Sequence, residues 1–192
     1  GTQMLAKGHD FAHLSLVVVI DADNALYSSD FRASERLFSQ ILQVSGRAGR
    51  SNIKGEVLIQ TAFPNHPIFD AIKKQDFDTF ADSLLEERQE MHLPPYTFIA
   101  SLNVESKNLN NSMKFINDLS EWAKELSTNV KIFGPVRPSI QKLKGYERVR
   151  LFFQASSRKD IQNFLSVWAP KISAHSLCNR VRWSIDVDPI EF

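Results

Sequence analysis

Leu93-Pro94-Pro95-Tyr96 (LPPY) divides this sequence into two parts that must be read separately. Proline fixes φ, donates no backbone hydrogen bond and pushes the residue before it out of the helical region, so no helix runs through two in succession. A domain junction is expected there. Charge changes at the same place: residues 1–95 hold 9 Lys and Arg against 13 Asp and Glu, net −4, whereas residues 96–192 hold 14 against 9, net +5. The near-neutral total of 23 basic and 22 acidic side chains averages over unlike halves.

Upstream, residues 16–21 (LVVVID) form a β-branched run without polar alternation, the pattern of a parallel strand buried on both faces. Residues 31–44 carry Leu37, Phe38, Ile41, Leu42 and Val44 at helical spacing and run into Gly46 and Gly49. Residues 55–62 (GEVLIQTA) read as a second strand. Strand, helix, strand is the crossover unit of an α/β sheet, although two strands alone make an incomplete one. A short helix is expected at 68–74 and an amphipathic one through Phe77, Phe80, Ala81, Leu84, Leu85 and Met91, which together connect the halves. The predicted partition is 1–63, 64–95 and 96–192.

Downstream, the sequence predicts a strand at 97–104, a helix at 109–126, a strand at 130–138, a basic loop, a strand at 148–154, a helix at 158–168 capped by Ser157, and a strand at 180–187. The order β-α-β-β-α-β in about 95 residues predicts a ferredoxin-like, split βαβ domain of α+β class. Residues 131–182 hold 11 basic side chains against only Glu147 and Asp160, a density that suits an anionic partner such as nucleic acid or an acidic peptide.

Composition excludes several classes. The chain has 192 residues, 43% hydrophobic and 23% charged, with no apolar run near the length of a membrane span. Its one cysteine, Cys178, allows neither an internal disulfide nor a multi-thiolate zinc site. The opening GTQMLAKGHDF carries neither an initiator Met nor a signal peptide, so the expectation is a processed chain or a piece of a longer one.

The most specific string is QVSGRAGR, residues 43–50. Two arginines three positions apart, set among glycines at a helix end, let the backbone pass close to a neighbouring surface with both guanidiniums turned one way. A guanidinium is permanently charged and donates in a planar fork, so Arg47 and Arg50 suit a phosphate and the charge that develops on a transferred phosphoryl group. Gln43 lies one helical turn earlier.

QVSGRAGR resembles motif VI, the arginine-finger motif of superfamily 2 helicases, and GTQMLAKGHDF resembles motif V of the same group. The ordered run TQMLAKGHDF, VVVIDAD, DFRASER, QVSGRAGR, LLEERQEMHLPPY and WSIDVDP is similar to the C-terminal part of the PriA family of bacterial primosomal, replication-restart DNA helicases, over essentially the whole chain. The resemblance implies that residues 1–63 end the second RecA-like lobe. It implies that Gln43, Arg47 and Arg50 face ATP with its Mg²⁺ in the intact protein, that Gly8 and Asp10 lie near the ribose, and that Thr2 touches the DNA backbone. A Walker A string, a Walker B acid and the family's zinc-binding cysteines are not among these residues, so the expectation is a chain without ATPase activity of its own and without zinc. The implied location is the bacterial cytoplasm, associated with the nucleoid.

For the basic half the resemblance implies binding of branched and single-stranded DNA, contacts with other primosome proteins and capture of the acidic tail of single-stranded-DNA-binding protein. Lys142, Lys144, Arg148 and Arg150 suit phosphate contacts. Arg158 and Gln162, one turn apart on a helix, align with positions that meet the tail. The alternatives are a non-catalytic nucleic-acid-binding module and a protein-interaction adaptor.

Three strings imitate other chemistries. VVVIDAD (17–23) looks like a Walker B strand but lacks a preceding GxxxxGK[ST], so Asp21 and Asp23 are read as loop residues. IDVDP supplies only Asp186 and Asp188, too few to hold a metal ion, and no metal site is predicted. KGYERVRLFF (144–153) approximates an RNA-recognition signature, yet its stacking positions are Arg148 and Leu151, with Tyr146 expected in the loop.

Overall fold

The computed structural model describes residues 14–28, 30–46, 48, 55–126, 129–138 and 140–190. Its contacts divide into two compact units, Gly1–Glu87 and Arg88–Phe192. The fold is mixed α/β, with one parallel and one antiparallel sheet.

In the first unit, β1 (Leu16–Val19) pairs in parallel with β2 (Glu56–Ile59), Leu16 opposite Glu56 and Val19 opposite Ile59. Between them run α1 (Asp23–Leu26) and α2 (Ala33–Ser45), followed by α3 (Pro67–Lys74) and α4 (Phe77–Glu90). On α2, Leu37, Phe38 and Ile41 recur at helical spacing and are buried with Ile68, Phe69, Ile72 and Phe80. Phe38 stacks on Phe80 with ring centroids 4.8 Å apart. Pro67 opens α3 where a missing N–H is harmless, and His66 Nδ1 accepts from Ile68 N at 3.2 Å. Asp76 caps α4 by accepting from Thr79 N at 3.1 Å.

Two expectations for this unit are corrected. Residues 16–21 do not form a strand buried on both faces: Leu16 and Val18 are 45% and 52% exposed, while Val19 and Ile59 pack on the core. Among the described residues the helices cover one side of this two-stranded sheet, so the unbroken apolar run alternates in burial. Asp23 is not a loop residue but opens α1, and Thr61 Oγ1 and Ala62 N, at 2.8 Å, donate to its carboxylate. Those two bonds hold Asp23 below the ordinary carboxylate range, the Ala62 amide more than the Thr61 hydroxyl.

The second unit contains β3 (Phe98–Ser106), α5 (Leu109–Leu126), β4 (Lys131–Val136), β5 (Lys142–Leu143), β6 (Tyr146–Ala155), α6 (Arg158–Ala174) and β7 (Arg182–Val187). Strand order is β4-β6-β3-β7, each neighbour antiparallel, with β5 added to β6. Period-two alternation sends Leu102 and Val104 of β3 and Val149, Leu151 and Phe153 of β6 to one face, where Phe115, Ile116 and Leu119 of α5 and Ile161, Trp168 and Ile172 of α6 bury them. Trp168 has no exposed surface, and its Nε1 donates to Leu119 O at 3.1 Å, tying the two helices.

Ser157 caps α6 as expected, accepting from Asp160 N at 3.1 Å. The helix, however, continues to Ala174 through Pro170 instead of ending at Trp168. Proline removes one donor, but Trp168 and Ile172 lie one turn apart and are both fully buried, and that burial holds the last turns helical. Tyr146 is likewise not in a loop: it pairs with Leu143 across Lys144 and Gly145, whose φ angles are +50° and +83°. Positive φ at both central residues matches a two-residue hairpin turn to the strand twist.

Candidate nucleic-acid interface

On the sheet face turned away from α5 and α6, the same alternation that buries Val149 and Leu151 places Arg148 and Arg150, with Phe152 and its cross-strand partner Phe133 farther along. In register, Arg148 and Arg182 flank Glu105 from β6 and β7. Arg148 Nε contacts Glu105 Oε1 at 3.1 Å, and Arg148 is only 20% exposed. Arg150 is 9% exposed and stands opposite Asn103.

The hairpin carries the other two predicted phosphate contacts. Lys142 lies 3.4 Å from Glu147 Oε1, and Arg137 lies 2.8 Å from Glu147 Oε2, so one carboxylate holds two cations. Lys144, at the tip, is exposed and has no carboxylate partner among the described residues. The structure therefore brings Lys142 and Lys144 together and draws Arg148 and Arg150 back into the sheet.

Arg158 begins α6 on the Ser157 cap, and Gln162 follows one turn later, exposed. The Arg158 guanidinium lies over the Phe98 ring at 5.3 Å and 3.2 Å from Asp188 Oδ2. It is held by an aromatic face and a carboxylate while remaining 61% exposed. An anionic ligand there must share Arg158 with Asp188 or displace it.

Gln43 sits exposed near the end of α2, where the Gly46 N–H closes on Leu42 O at 3.0 Å. Thr2, Gly8, Asp10, Arg47 and Arg50 lie outside the described residues. Among the described residues no helix is long and apolar enough to cross a membrane.

Sequence reading missed a second group of cations. Lys107 follows β3, Arg180 ends the short 3-10 turn Cys178–Arg180, and Arg182 opens β7. None of the three has a carboxylate within ion-pair distance among the described residues, and the Arg182 guanidinium lies over the Tyr146 ring at 4.2 Å. Arg180 and Arg182 stood in the basic stretch already counted, but only the sheet register joins them to Lys107.

Residues 89–190 match the model of the family described as the primosomal protein N C-terminal domain. Among curated proteins, the chain is 36% identical over 192 residues to the replication restart protein PriA of Haemophilus influenzae, covering 98% of this chain and 26% of that protein. It is 38% identical over 192 residues to the PriA of Rickettsia felis, covering 100% and 29%. To the PriA of Bacillus subtilis it is 32% identical over 190 residues, covering 98% and 24%. The chain thus spans under a third of the length of these relatives.

Proposed function

Because the chain belongs to the PriA family of replication restart proteins, we propose that it serves bacterial replication restart as an element that contacts DNA and a protein partner. One observation carries the reading: within the segment that matches the family domain, Lys144 stands exposed at the tip of a tight hairpin beside Lys142, with no carboxylate partner among the described residues. Cations presented on regular structure and not aimed at base edges bind phosphates without reading sequence.

Finer assignments belong to this proposal. Residues 1–63 are the end of a RecA-like helicase lobe, which the parallel pairing of β1 with β2 across α1 and α2 supports. Residues 96–192 are a ferredoxin-like domain, supported by the strand order β4-β6-β3-β7 and the two helices on one face. In the intact protein, an ATP-dependent helicase, Gln43, Arg47 and Arg50 sense the phosphates of bound ATP, and Gly8 and Asp10 approach the ribose. These 192 residues contain no GxxxxGK[ST] string, so the chain alone is expected to turn over no ATP. Arg158 and Gln162 take the acidic tail of single-stranded-DNA-binding protein, the guanidinium pairing its terminal carboxylate.

A mobility titration on forked DNA, repeated at rising salt, tests the reading. Binding that weakens as a power of salt concentration is expected, with a slope of about 0.9 per duplex phosphate neutralised. Absence of binding at low salt overturns it and leaves the adaptor reading, which the pairing of Lys142 and Arg148 with carboxylates favours.

A further inference from the structure

Outside the hairpin and outside Arg158, three cations that have no carboxylate within ion-pair distance among the described residues, Lys107, Arg180 and Arg182, line one cleft. The turn from β3 to α5 and the entry to β7 enclose a cleft of about 290 Å³, into which Lys107, Arg180 and Arg182 all contribute, with Tyr146 as part of its wall. We propose that this cleft is a phosphodiester subsite that takes the backbone of a single DNA strand. The proposal rests on the DNA-binding reading and adds the place where the strand lies.

Charge decides the class of ligand. The carboxylate in the lining is Glu105, and Arg148 already engages it at 3.1 Å. Three cations therefore face the cleft with no counter-charge of their own among the described residues, an arrangement that repels itself unless an anion enters. Each cation is anchored on ordered backbone. Arg180 N bonds Leu177 O at 2.9 Å at the end of the 3-10 turn, and Arg182 lies in register with Glu105. Lys107 sits in a turn that Ser106 closes, its Oγ donating to Asn108 O and accepting from Asn108 N, both at 3.0 Å.

Chemistry narrows the ligand further. Arg182 is exposed and packed against Tyr146, so its guanidinium is pre-oriented and loses less rotamer freedom on meeting a phosphate. Asn108 and Asn111 add polar side chains suited to phosphate oxygens and exposed base edges. The one aliphatic residue in the lining, Val181, is buried, and the Tyr146 ring is covered by Arg182, so the cleft has no deep apolar pocket for a hydrophobic side chain.

Fluorescence anisotropy of a labelled single-stranded oligonucleotide across a salt series tests this with the full chain. R180Q/R182Q should weaken binding at least about tenfold at low salt and lower the salt slope by about 1.4, two contacts at about 0.7 each for single strands. R180K/R182K, which keeps the charges, should retain most of the slope, and circular dichroism of both variants should match the parent. If the parent does not bind the oligonucleotide, the DNA-binding reading fails and the subsite with it. If the parent binds and R180Q/R182Q binds equally, the subsite alone is overturned. Unchanged oligonucleotide binding with weakened binding of polyglutamate also overturns it, in favour of an acidic polypeptide.

Discussion

His175 at the end of α6 and Asp118 on α5 are joined side chain to side chain at 3.0 Å, Nε2 to Oδ2, and the Leu177 N–H donates to His175 Nδ1 at 3.0 Å. Since Nδ1 accepts, Nε2 carries the proton and donates to the carboxylate. The ring also packs edge-on to Phe115 at 4.8 Å and against Trp122 at 5.5 Å. This residue closes the helix pair and aims the chain toward the turn that bears Arg180.

Replacing His175 with Ala removes both bonds and the packing, and is expected to destabilise the second unit by about 2–4 kcal/mol. His175→Phe restores packing on Phe115 without either bond and should recover only part of the loss. Urea midpoints of both variants and the parent check this; a His175→Phe midpoint equal to the parent's would show that the hydrogen bonds contribute nothing.

Gly134 has φ +106°, and a Cβ there would meet Val136 N at 3.0 Å and Arg150 O at 3.1 Å. Both obstacles are backbone, one of them on the neighbouring strand, so neither yields by rotating a side chain. Gly134→Ala should cost about 1–3 kcal/mol and displace β4 at its bulge. Thermal unfolding measures the first effect, and amide exchange at Phe133 and Val136 the second.

The helices and strands of the second unit were largely legible because each buries one stripe: 109–126 was read to the residue, and Ser157 was found from its position before the helix. What escaped depends on tertiary neighbours. Pro170 reads as a terminator until Ile172 is seen to be buried beyond it. Arg148 reads as a free cation until register sets Glu105 opposite. The strand at 16–19 reads as doubly buried because an apolar run carries no record of which side is covered. The candidate interface was therefore legible as a basic region, while the choice among its cations was not.

Acid should loosen the first unit at the Asp23 contact. The bonds from Ala62 N and Thr61 Oγ1 lower its pKa from 3.8, so the folded form favours the carboxylate more than the unfolded chain does. The stability this contributes is fully present above the unfolded value and is lost as pH falls through the lower folded value. The change thus falls below about pH 4. Nuclear magnetic resonance titration of the Ala62 amide should report it, and Asp23→Asn should abolish that titration; an amide shift that persists in Asp23→Asn assigns the effect to another group.

Glu147 gives the most direct test of which cations are available to DNA. Its two oxygens hold Arg137 at 2.8 Å and Lys142 at 3.4 Å, and Lys144 lies at the tip of the same hairpin. As exposed pairs these contribute little to stability, so Glu147→Gln should leave unfolding within about 1 kcal/mol of the parent. Its effect on binding should be larger, because it removes a charge that repels phosphate and releases two side chains that attract it. DNA affinity is expected to rise several-fold at low salt, with the salt slope steepening by about one. Lys142→Gln starts from a cation already neutralised and should lose less affinity than Lys144→Gln. If Glu147→Gln instead weakens binding, the carboxylate positions the hairpin for its ligand, and Lys142 acts through that geometry and not as a free charge.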